Sequence, residues 1–118
     1  MFDRGERISE LLLHEVSSLL REVKDPGLAG LVTVTALKLS RDRKDAVAYY
    51  SVLGTAEQKE STAKALERIV PFLRHKLREK LTLKTIPKLV FVFDPTPERA
   101  QRIEDILAGI ERERGREP

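Results

Sequence analysis

The sequence predicts an α+β domain, a small three-stranded sheet packed by helices. Two stretches, Leu31–Ser40 and Ala46–Leu53, alternate apolar and polar residues with the period of two that a half-buried strand requires. Three others, starting near Glu6, Thr55 and Thr96, repeat apolar residues every three or four positions, the period of one helix face. Their order is helix, strand, strand, helix, strand, helix, which closes most simply as one sheet with helices on one face.

The bulk numbers agree. A chain of 118 residues has room for one domain, placed at 1–110, and the charge-dense tail 111–118 is expected to be disordered. With 41% hydrophobic and 35% charged residues the chain is globular and highly charged rather than disordered. The absence of cysteine excludes a disulfide framework, a thiol nucleophile and thiolate metal sites. His14 and His75 are the only histidines, so neither a metal centre nor a cofactor is expected. No apolar run approaches the roughly 18 residues of a membrane span. The N-terminus lacks the pattern of a signal peptide. A cytoplasmic protein without a membrane partner is expected.

The first helix is placed at about Glu6–Val23 on the stripe Ile8, Leu11, Leu12, Val16, Leu19, Leu20 and Val23, with His14 a structural residue at its edge. It stops at Lys24-Asp25-Pro26-Gly27, because Pro26 disfavours helical geometry at Asp25 and Gly27 permits a turn. In the first strand Val32, Val34 and Ala36 share a face. The alternation then slips to Leu37 and Leu39, and a bulge near Ala36-Leu37 would reconcile the halves. Arg41–Asp45 forms a charged hairpin connection. The second strand puts Ala46, Ala48, Tyr50 and Val52 on one face. Tyr49 faces away, where it either covers the sheet or stacks on a base. Thr55 and Gln58 have the spacing of a capping box. The helix they open runs to Pro71 and resumes from Phe72 to about Lys80. Proline deletes one backbone donor and crowds the preceding turn, so a bend is expected at Ile69, Val70 and Pro71. Lys88–Phe93 is almost wholly apolar, which implies burial on both faces or a place at the centre of the sheet. Thr96 as N-cap and Pro97 at the first helical position start the last helix, striped by Ala100, Ile103, Ile106, Leu107 and Ile110.

The functional signal is charge. Between Ala63 and Lys88 eight Lys and Arg side chains stand against Glu67 and Glu79, in a chain whose net charge is only +3. Such a run is either a surface for a phosphate backbone or a solvated amphipathic helix. With Leu66, Leu73 and Leu77 turned inward, Arg74 and Arg78 stand one helical turn apart on the same flank, able to engage successive phosphates. The candidate RNA-binding set is Arg68, Arg74, Arg78 and Lys84, with Arg41 and Arg43 as outlying contacts. There is no glycine-rich phosphate loop, no HExxH, no GxSxG and no nucleophile-plus-histidine arrangement. The six aromatics are too few and wrongly placed for an RNA-recognition motif. No catalytic residue, no metal ligand and no small-molecule substrate is therefore expected.

Several segments together resemble the ribosome-binding factor A family of bacteria. They are Arg4, Arg7 and Ile8; Lys24-Asp25-Pro26-Gly27-Leu28; Leu39-Ser40-Arg41-Asp42; Phe72-Leu73-Arg74; and Ile86 through Asp94. The resemblance covers about residues 4–110. It implies a type II KH-like fold with a kinked helix in place of the GxxG loop, no catalytic activity, and binding to the small (30S) ribosomal subunit and its 16S rRNA late in maturation. The chain would act as a monomer. The family's kink commonly reads Ala-x-Gly, where this chain has Ile69-Val70-Pro71. Proline bends a helix by deleting a hydrogen bond, glycine by relaxing the backbone, so no kink residue is carried over as an RNA contact. The competing reading is a basic protein-interaction module that docks on an acidic partner without touching RNA.

Overall fold

A computed structural model describes residues 4–116. The elements are α1 (Arg4–Glu22), β1 (Leu31–Leu39), β2 (Asp45–Leu53), α2 (Ala56–Lys80), β3 (Lys88–Phe93) and α3 (Thr96–Arg116). The sheet order is β1-β2-β3, with β2 antiparallel to β1 and parallel to β3. Helices α1 and α2 cover one face. Leu12, Val16 and Leu19 from α1, Ala46, Ala48, Tyr50 and Val52 from β2, and Leu66, Ile69, Leu73 and Leu77 from α2 belong to one buried core. Leu11, counted in the apolar stripe of α1, lies outside that core and is 41% exposed.

Four expectations need correction. The irregularity in β1 falls between Val34 and Ala36, ahead of the Ala36-Leu37 position inferred from the slip in alternation. Thr35 is the additional residue, and its hydroxyl donates to Asp94 Oδ2 at 2.9 Å. Strand β3 is an edge, not the centre of the sheet. Leu89 is buried, while Val90 and Val92 on its other face are 45% and 40% exposed. A six-residue apolar run cannot distinguish these cases, because nothing in it records which strand lies beside it. Thr96 opens α3 rather than capping it, and Asp94, two residues earlier, forms an Asx turn at the helix start, its Oδ1 accepting from the Thr96 backbone N–H at 2.9 Å. Finally, α2 is one unbroken helix from Ala56 to Lys80 rather than two helices meeting at Pro71. Pro71 and Glu67 both lie on its exposed side. Water can therefore hydrate the Glu67 carbonyl that Pro71 leaves without a donor, which makes the proline tolerable mid-helix.

The capping box is present in full: Thr55 Oγ1 accepts from Gln58 N–H at 3.1 Å, and Gln58 Oε1 from Thr55 N–H at 2.8 Å. Helix α3 continues past 110 to Arg116, and residues 117 and 118, with Met1 to Asp3, lie outside the described residues. Its Ile103, Ile106, Leu107 and Ile110 are 40–58% exposed and take no part in the core. No helix of the described residues is long and apolar enough to cross a membrane.

The turn between α1 and β1 is stitched to the first half of α2. Thr62, fully buried, accepts from Ala29 N–H and donates to Ala29 C=O, and Ser61 donates to Gly27 C=O. Gly30 has φ +75°, and a Cβ there would stand 2.8 Å from the Leu53 carbonyl oxygen, so only glycine fits.

Candidate nucleic-acid interface

The parallel pairing of β2 with β3 decides which basic residues meet. Asp45 opens β2 opposite Lys88 at the start of β3, and Lys88 N–H donates to Lys44 C=O at 2.8 Å. Consequently the β1–β2 hairpin, the 81–87 loop and the end of α2 all converge at one end of the molecule. The hairpin itself is tightly tied. Ser40 N–H donates to Asp45 C=O, Asp45 N–H to Ser40 Oγ, and Asp42 Oδ1 accepts from both Ser40 Oγ and Lys44 N–H. Arg43 takes a left-handed conformation, φ 61°, to close the turn.

Three hollows run side by side along this end. The first, about 350 Å³, lies among Arg74, Arg78, Leu81, Leu83, Lys84, Thr85 and Ile86. The second, about 250 Å³, shares Leu83, Lys84 and Thr85 and adds Asp42, Arg43 and Lys44. The third shares Arg43 and adds Lys38 and Arg41, and is lined also by Glu6 and Glu10. Five of the six residues expected at an RNA surface, Arg41, Arg43, Arg74, Arg78 and Lys84, thus line one continuous edge. None of the five pairs with a carboxylate among the described residues, whereas their neighbours do: His75 and Lys76 bind Glu79, and Lys80 reaches Glu15.

Arg68 stands apart. Its Nη2 lies 3.1 Å from Asp25 Oδ1, over the Lys24–Leu28 turn, and it lines none of the three hollows. The Gly27 backbone N–H and then Arg68 hold the Asp25 carboxyl below its ordinary range. Asp42 is lowered by the Ser40 hydroxyl and the Lys44 N–H, and Asp94 by its side-chain and backbone bonds from Thr96 and by Thr35. A carboxyl depressed in the folded state stabilises above its unfolded pKa, about 3.9, and that contribution disappears as pH falls through the folded value. Urea midpoints are therefore expected to change little through these groups between about pH 5 and 7 and to fall below about pH 4. Asp25→Asn should shrink the acid loss; an identical acid limb in that variant would show the turn's carboxylate is not involved.

Sequence reasoning missed two contributors, Lys44 and the Ile86 carbonyl, which accepts from Arg74 Nη2 at 3.3 Å. Lys44 was legible as a base in the hairpin. The carbonyl carries no sequence signal. Tyr49 lies half-buried on the outer sheet face with Lys38 5.8 Å from its ring centroid. Among the described residues no group of three or more His, Asp or Glu could hold a metal ion.

The architecture is that of a type II KH-like domain, an α+β fold with a three-stranded sheet backed by helices. The family model of ribosome-binding factor A matches residues 4–107, and the chain belongs to that family. A ribosome-binding factor A of Geobacter sulfurreducens is 38% identical over 116 residues, covering 98% of each chain. The crystal structure of ribosome-binding factor A from Thermus thermophilus superposes with a TM-score of 0.68 at 24% identity, over 75% of this chain and 93% of that one. A homology model of the Thermus thermophilus factor, fitted into a cryo-EM map of a complex of 30S with ribosome-binding factor A, gives a TM-score of 0.64 at 24% identity, over 75% and 93% of the two chains.

Proposed function

We propose that this protein is a ribosome assembly factor that binds the small (30S) ribosomal subunit through its 16S rRNA during late maturation, as a cytoplasmic monomer and without catalysing a reaction. The observation that carries the reading is the edge where Arg41, Arg43, Arg74, Arg78 and Lys84, drawn from segments distant in sequence, meet without an ion-pair partner among the described residues. Unneutralised cations along one edge fit a phosphate backbone, which supplies affinity and register while shape supplies selectivity. The fit of a relative's homology model into a map of a 30S complex supports the choice of partner. A bend of α2 at Ile69, Val70 and Pro71 would set the angle at which the second half of that helix presents Arg74 and Arg78. The test is co-sedimentation with purified small subunits and with the same particles after ribonuclease treatment. Binding should disappear with the RNA. Binding that survives on the released proteins would favour an acidic protein partner instead.

A further inference from the structure

We propose that the hollow between the end of α2 and the 81–87 loop is a site for a single phosphate group, held by Arg74, Arg78 and Lys84. The proposal deepens the reading of the cationic edge and rests on it for the source of the phosphate. Arg74 is the centre of the site. Its Nη2 is pinned by the Ile86 carbonyl at 3.3 Å, while its Nε is buried with no partner. Orphaned buried donors are rare in folded proteins, and with a single protein acceptor on the guanidinium its charge is left largely uncompensated beside the hollow. Nothing acidic lines the hollow: its polar groups besides the three cations are Thr85 and the backbone, and Leu81 and Leu83 form apolar wall that strengthens electrostatic attraction. The C-terminal end of α2 opposes an anion with about half a negative charge. Three full positive charges outweigh it. Arg74 also offers a planar fork, which a phosphate accepts in bidentate fashion and a lysine cannot reproduce.

The phosphate could belong to an RNA backbone or be free in solution, and the chemistry of the hollow is the same for both. Inorganic phosphate titrated against chloride at matched ionic strength should move the Arg74 Nε–H resonance along a saturating curve. Arg74→Lys keeps the charge but loses both Nε–H and the fork, and should bind phosphate roughly tenfold more weakly, read by the phosphorus-31 linewidth. Should that variant fail to fold, Lys84→Gln read by the same linewidth takes its place. The absence of a saturating shift, or wild-type phosphate binding in Arg74→Lys or Lys84→Gln, would overturn the site. A short single-stranded RNA that displaces the phosphate identifies a nucleic-acid backbone as the natural occupant; no displacement identifies free phosphate. Small-subunit binding separates the two claims. If Arg41→Gln/Arg43→Gln weakens it while phosphate shifts nothing, the hollow fails and the edge stands. If phosphate saturates the hollow but subunit binding ignores both sets of variants, the site stands and the edge reading fails.

Discussion

Leu73→Ala is expected to destabilise the fold by about 2–5 kcal/mol, the range for truncating a fully buried leucine. Leu73 has no exposed surface and belongs to the core cluster with Val16, Ala48 and Leu77. The loss combines the transfer free energy of the removed carbons with an unfilled cavity, since α2 is anchored at both ends of this segment. Its start is fixed by the Thr62–Ala29 hydrogen bonds and its end by the Arg74–Ile86 bond. Against a total stability of about 5–15 kcal/mol, such a loss moves the urea midpoint strongly. The control is Phe72→Ala. Phe72 is the larger side chain and the immediate neighbour, yet it is 46% exposed with Lys76 against its ring. It should cost about 1 kcal/mol or less. Equal losses at the two positions would contradict the assignment of the buried face.

Arg74→Gln/Arg78→Gln is expected to weaken small-subunit binding and to flatten its salt dependence. With two fewer phosphates neutralised, the slope of log affinity against log salt should fall by about 1.4–1.8. The variant is not silent in stability. Arg74 holds the Ile86 carbonyl, so its loss should cost about 0.5–1.5 kcal/mol, whereas Arg78 is exposed and pairs with no carboxylate among the described residues. An unchanged slope in the folded variant would move the binding face elsewhere.

What the sequence revealed and what it hid divide along the range of the interactions. The Thr55–Gln58 capping box is local, closing within three residues, and its residue types alone predict it. The Arg74–Arg78 pairing is local in the same way, set by helical period. Arg68 belongs to the same basic run, but its partner Asp25 lies 43 positions away, and nothing in the spacing distinguishes it from its neighbours. The slip in β1 showed that a bulge was needed. Its position at Thr35 depends on pairing with β2 and on the reach of the Thr35 hydroxyl to Asp94, both non-local. An apolar stripe likewise states which face of α3 is greasy but not what covers it. With α1 and α2 already on the core face of the sheet, that stripe is left exposed. The same limit applied to the candidate site. The hairpin and the end of α2 were each visible as basic, and only the parallel β2–β3 pairing joins them into one edge.

The most direct measurement is site-specific photo-crosslinking on maturing small subunits from two exposed lysine positions on this chain. Lys84 lines two of the hollows along the cationic edge, whereas Lys64 sits on the first half of α2, paired with Glu60 at 3.4 Å. A crosslinker at position 84 should attach to 16S rRNA, and one at position 64 should not. RNA crosslinks from position 64 alone, or only ribosomal proteins captured from position 84, would contradict an RNA-facing edge.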